Sequence, residues 1–159
     1  MARSGVGEAS SGLRWERRRP KGECSTSAAA DRRREARRWL QFAREDLLGA
    51  ATLVSDLDAA PRLACFFAQQ AAEKALKARL IAAGVAFPRV HDLVAMRGLL
   101  PAESKVGLDE DALASLAVWA TEARYPADLP NASRADAERS IEQAREVVAA
   151  AERDVRTRR

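Results

Sequence analysis

The chain has 159 residues, of which 47% are hydrophobic and 5% aromatic, with a formal net charge of +4. Alanine fills 35 positions and leucine 16, against 16 for valine, isoleucine and threonine together, a composition that favours helix and disfavours an all-β or doubly wound fold. No apolar run approaches the roughly 18 residues that span a bilayer, and the charged N-terminus has no apolar segment of the kind a secretory signal carries.

Cys24 lies in a basic polar stretch and Cys65 in an apolar one, so no disulfide framework is expected and a reducing cytoplasm fits. One histidine, His91, cannot build a multi-histidine zinc site, and no metal or cofactor is expected. The charge is uneven. Residues 1–38 hold eleven basic and five acidic side chains, whereas residues 39–155 carry a net −5. Residues 1–30, rich in Gly, Ser and Arg without apolar periodicity, read as a disordered basic tail ahead of a helical domain over 31–156. The tail suits phosphate neutralisation on nucleic acid, or equally a solvated leader, even a start placed upstream of the true one.

Asp31 is a good N-cap for a first helix, in which Trp39, Phe42, Ala43, Leu47, Ala50, Leu53, Val54 and Leu57 form an apolar stripe. Asp46 falls on that face and needs a basic partner or a ligand. Pro61 opens a second helix ending at Ala83 before Gly84. Its first half, Leu63 to Ala68, is apolar nearly all round and expected to be buried. Its second half sets Gln69, Glu73 and Lys77 in one row beside Gln70 and Lys74. That row is either an ion-paired solvated face or a groove whose lysines hold phosphate.

A short third helix is expected from Asp92 to Leu100, and a fourth from Asp109 to Tyr125, where Pro126 ends it. Ser133 caps the last helix, whose Ala137, Ile141, Ala144, Val148, Ala151 and Val155 repeat at three and four. The pattern is all-α, an antiparallel up-and-down bundle of four or five helices. His91 beside Asp92 reads as a cap, a packed residue or a general base. Arg124 and Tyr125 place a guanidinium and a phenol together at a helix end.

The string Cys65-Phe66-Phe67-Ala68-Gln69-Gln70-Ala71-Ala72-Glu73-Lys74-Ala75-Leu76-Lys77-Ala78 resembles the signature helix of HEPN domains. Three further stretches resemble the family's motifs in the same order: Ala43-Arg44-Glu45-Asp46-Leu47, His91-Asp92-Leu93 and Thr121-Glu122-Ala123-Arg124-Tyr125-Pro126. The resemblance runs from about Arg37 to Asp154. It implies a homodimeric bundle that binds a nucleotide or pairs with a small nucleotidyltransferase, some members acting as toxins in such pairs. By the same resemblance Asp46, Gln69, Lys74, Lys77, His91, Arg124 and Tyr125 would line a groove, with Arg124 and the lysines on phosphate.

Many toxins of the family cleave RNA with an Arg and a His separated by four to six residues. Here Gly84, Val85 and Ala86 stand where that Arg would precede His91, and Leu129, Pro130 and Asn131 follow Arg124. Phe67 also replaces a histidine found in many relatives and cannot transfer a proton. The leading expectation is therefore a non-catalytic, cytoplasmic, non-membrane HEPN protein. Its rival is a ribonuclease toxin using His91 with Arg124 or Arg89. A third reading is a scaffold that presents the last helix to a partner and binds no small ligand, with Ile141 and Val148 either on that surface or equally in the core.

Overall fold

A computed structural model describes residues 25–87, 91–102, 104, 110–122 and 131–157. Six helical segments follow one another: α1 Ser25–Ser55, α2 Pro61–Ala83, α3 Leu93–Gly98, α4 Glu110–Ala117, α5 Trp119–Glu122 and α6 Arg134–Thr157. Helix α1 starts six residues before Asp31, which instead pairs with Arg34 at 3.0 Å one turn on. Residues 1–24, which hold most of the expected tail, lie outside the described residues.

Helix α2 has the bounds its punctuation dictates. Pro61 occupies the first turn, where a missing N–H costs nothing. At the other end Gly84 takes φ 70°, its N–H donating to the Ile81 carbonyl at 3.0 Å while that of Val85 reaches Leu80 at 2.9 Å. This is a Schellman cap, and the left-handed conformation favours glycine. The expected fourth helix is two pieces. The ladder breaks at Val118, and the Thr121 N–H turns back to the Val118 carbonyl at 3.2 Å.

Alanine sets the packing. Ala36, Ala43 and Ala50 in α1, Ala64, Ala71 and Ala78 in α2, and Ala137, Ala144 and Ala151 in α6 each recur every seventh residue, all fully buried. Side chains this small let helix backbones approach closely along a coiled-coil-like seam. Pairing across the seams fixes directions. Arg32 lies beside Gly84, Asp46 meets Lys74 and Gly49 faces Phe67, so α1 runs antiparallel to α2. Cys65 bonds to Ser140 and Arg79 to Asp154, so α2 and α6 run parallel, and α1, tied to α6 by Arg44 and Glu152, is antiparallel to both. The chain is thus an all-helical up-and-down bundle. Leu113 and Leu116 of α4, with Leu93 and Met96 of α3, close its remaining side.

Two expectations of burial change. Phe42 is 47% exposed, and Leu57 lies past the end of α1 at 86%. Phe66 and Phe67 are half-buried rather than buried, stacked edge to face at 5.9 Å, with Phe67 against Gly49. Ile141 and Val148, only 3% and 4% exposed, take the core positions that their repeat implies, so they present nothing to a partner.

Ser133 and Asp136 form a reciprocal cap at the start of α6. The Asp136 N–H donates to Ser133 Oγ at 3.1 Å, and the Ser133 N–H to Asp136 Oδ2 at 2.9 Å. The Ser133 hydroxyl also donates to Asp136 Oδ2 at 2.6 Å, and this bond, with that from the Ser133 N–H, holds the Asp136 carboxyl below its ordinary value. Ser133→Ala is expected to cost about 1 kcal/mol, read as a lower urea midpoint with unchanged slope.

Candidate functional site

Where α1 crosses the second half of α2, a polar network sits inside an otherwise alanine-lined bundle. Its hub is Glu73, only 3% exposed. One oxygen accepts from Lys77 Nζ at 2.7 Å and the other from Gln69 Nε2 at 3.1 Å. Gln70 in turn donates to the Gln69 side-chain oxygen at 2.7 Å. The row is therefore no solvated face, because Gln69 is fully buried and the Lys77 side chain is 13% exposed.

His91 arrives from the segment after α2. Its Nδ1 lies 2.9 and 3.1 Å from the two Glu73 oxygens, although its side chain is 71% exposed. A carboxylate can only accept, so Nδ1 carries the proton in this contact. Next to it Asp92 accepts from the Ala95 N–H at 3.0 Å and caps α3. Asp46 meets Lys74 in a salt bridge from α1 to α2, which is the basic partner its place on the apolar face requires.

Burial alone would raise the Glu73 pKa. The hydrogen bond and charge of Lys77, with the bonds from Gln69 and His91, outweigh it and hold the carboxyl below its ordinary value. The native carboxylate thus holds a proton less tightly than the unfolded one. Its contribution is complete above the ordinary value of 4.5 and is lost as pH falls through the lowered native value. Unfolding free energy measured from about pH 6 to pH 3 should fall more steeply for the wild type than for Glu73→Gln. Cys65 is different in kind: burial pushes its thiol up to about 11, so it acts as a small apolar residue and not as a nucleophile.

Trp39 joins this network to the surface. Lys77 Nζ lies 5.3 Å from the centre of its ring, and its indole N–H donates to Glu35 at 3.0 Å. On the outer side Glu35, Arg38, Trp39, Phe42 and Lys74 line an open groove of about 370 Å³. Asp46, Gln69, Lys74, Lys77 and His91 are thus brought to one region in two linked sets, while only Lys74 reaches the groove. Arg124 and Tyr125 lie outside the described residues.

Sequence reasoning passed over Arg38, Glu35 and the pair Arg79–Asp154. Arg79 is 1% exposed and bonds Asp154 Oδ2 at 2.8 Å. The signal was available, since Arg79 lies one heptad after the buried Ala72. Glu35 likewise sits one helical turn before Trp39. Among the described residues no three His, Cys, Asp or Glu side chains gather as a metal site, and no helix is long and apolar enough to cross a membrane.

The architecture defines an all-helical bundle with a carboxylate-centred polar network between its first two long helices. The HEPN domain model matches residues 36–154, and the chain belongs to the HEPN family. The crystal structure of TT1696 from Thermus thermophilus is 33% identical with a TM-score of 0.65, covering 75% of this chain and 97% of that one. That of ST0689, an archaeal HEPN homologue, is 25% identical with a TM-score of 0.59, covering 76% and 97%. No curated protein matches the chain.

Proposed function

We propose that this HEPN protein is a non-catalytic module that binds a nucleotide along α1 and works beside a small nucleotidyltransferase partner, as a homodimer in a toxin–antitoxin-like pair. The observation that carries the ligand is the groove. Trp39 and Phe42 offer aromatic surface for a base, and Arg38 offers a cation for phosphate, with Lys74 joining it from its Asp46 pair. The remaining polar groups answer one another: Asp46 holds Lys74, and Glu73 holds Lys77, Gln69 and His91. In this reading they position the groove wall through Trp39. Arg124 and Tyr125 belong to the same proposal by family resemblance.

Titration calorimetry with ATP, GTP and their monophosphates tests it. Arg38→Ala and Trp39→Ala should each weaken binding about tenfold, the order of one lost stacking or charge-assisted contact. Unchanged affinity in both removes the groove.

One observation favours the ribonuclease reading. Glu73 orients His91 through Nδ1 while the side chain stays 71% exposed, an arrangement that suits a general base. Metal-free incubation with labelled RNA is expected to give no cleavage. Cleavage abolished by His91→Ala would reverse the assignment.

A further inference from the structure

We infer that one end of the bundle, where the first half of α1 meets the last turns of α6, is a docking surface for the phosphate backbone of a polynucleotide. The residues concerned lie outside the nucleotide groove. Arg33, Arg37 and Arg44 follow at steps of four and seven and share one stripe of α1. Arg44 bonds Glu152 of α6 at 2.7 Å, which places that stripe on the seam with α6. The two helices run antiparallel, so going N-terminal along α1 from Arg44 and C-terminal along α6 from Glu152 leads to the same end. Arg33 and Arg37 lie there on one side, and Arg156, one turn beyond Glu152, lies there on the other.

What distinguishes this end is the state of its acids. Asp31 is paired with Arg34, Glu35 accepts from Trp39, Glu152 holds Arg44 and Asp154 holds Arg79. Arg33, Arg37 and Arg156 have no ion pair among the described residues, and Arg37 and Arg156 are exposed. By contrast Arg134, Arg139 and Arg145, toward the other end of α6, each bond an acid within about one turn.

Arg33 and Arg37 are also one helical turn apart, a like-charge spacing that opposes the helix unless an anion lies across it. Residues 39–155 carry a net −5, so the basic end faces away from an acidic body, and a long polyanion is steered to it. None of the exposed large apolar residues lies within one helical turn of Arg37 or Arg156, and Leu40 beside Arg37 is buried, which favours a phosphate backbone over a lipid surface.

The test is fluorescence anisotropy of the full chain with labelled RNA of about 20 nucleotides, matching single-stranded DNA and matching duplex, over a range of salt. The triple variant Arg33→Gln, Arg37→Gln, Arg156→Gln should weaken binding at least about tenfold and flatten the log–log salt slope by about 2. The control triple Arg134→Gln, Arg139→Gln, Arg145→Gln removes the same charge and should change affinity less than about twofold. Thermal melts that overlay the wild type establish that both fold. A preference for RNA or DNA identifies which polynucleotide is bound, and equal affinity supports backbone recognition alone.

Equal loss in the two triples would overturn the proposal, as would no loss in the first or binding only to anionic vesicles. None of the substituted arginines lines the groove. Failure here therefore leaves the mononucleotide titrations of Arg38→Ala and Trp39→Ala to stand or fall separately.

Discussion

Glu73→Ala is expected to lower the unfolding free energy by about 3–5 kcal/mol, the cost of removing one partner from a buried ion pair. The reason lies in what stays behind. Lys77, 13% exposed, loses its carboxylate, and the fully buried Gln69 loses the acceptor of its amide. His91 loses the contact that holds it to α2. For a domain of this size the melting temperature should drop on the order of 10 °C. Glu73→Leu combined with Lys77→Met should recover part of the loss, because replacing both ions with apolar groups is far cheaper than stranding one. A loss below about 1 kcal/mol by urea titration would mean that the network is surface-like in energy.

Asp154→Ala is the second large effect, about 3 kcal/mol, since Arg79 would stay buried without its carboxylate. The pair joins α2 to α6 across 75 residues of sequence, so its loss also loosens the seam between those helices. A direct contrast is available in the same protein. Arg44 and Glu152 join α1 to α6 at nearly the same distance, 2.7 Å against 2.8 Å, but their side chains are 56% and 39% exposed. Glu152→Ala should therefore cost below about 1 kcal/mol. Comparable losses for Asp154→Ala and Glu152→Ala in chemical denaturation would contradict the role given to burial.

Both effects depend on the narrow spacing of the bundle. Alanine at every seventh position brings α1, α2 and α6 close together. Glu73, Arg79 and Gln69 are the polar long side chains buried in α2 beside Leu76 and Leu80, and each has a partner there. Well-connected polar groups fix the register of helices that an all-alanine seam would allow to slide. Trp39 then carries the inner network outward, with Lys77 near its ring and the groove along its other side.

The sequence by itself determined whatever is decided within one or two helical turns. Pro61 and Gly84 bound α2, Ser133 caps α6, and the repeat from Ala137 to Val155 is the buried seam it reads as. The four stretches that resemble HEPN motifs belong here too, and the family is the one the chain belongs to. Periodicity places a residue on a face but does not say what covers that face, and this only the tertiary structure decided. Phe42 shares the stripe of Trp39 yet is left open at the groove, whereas the row of Gln69, Glu73 and Lys77 has a surface-like spacing yet is buried, with Trp39 of α1 at Lys77 and His91 at Glu73. Asp46 required some base, and the antiparallel crossing of α1 and α2 chose Lys74. Arg79 found its acid 75 residues away, because the parallel course of α2 and α6 is a property of the packed bundle and of no local segment.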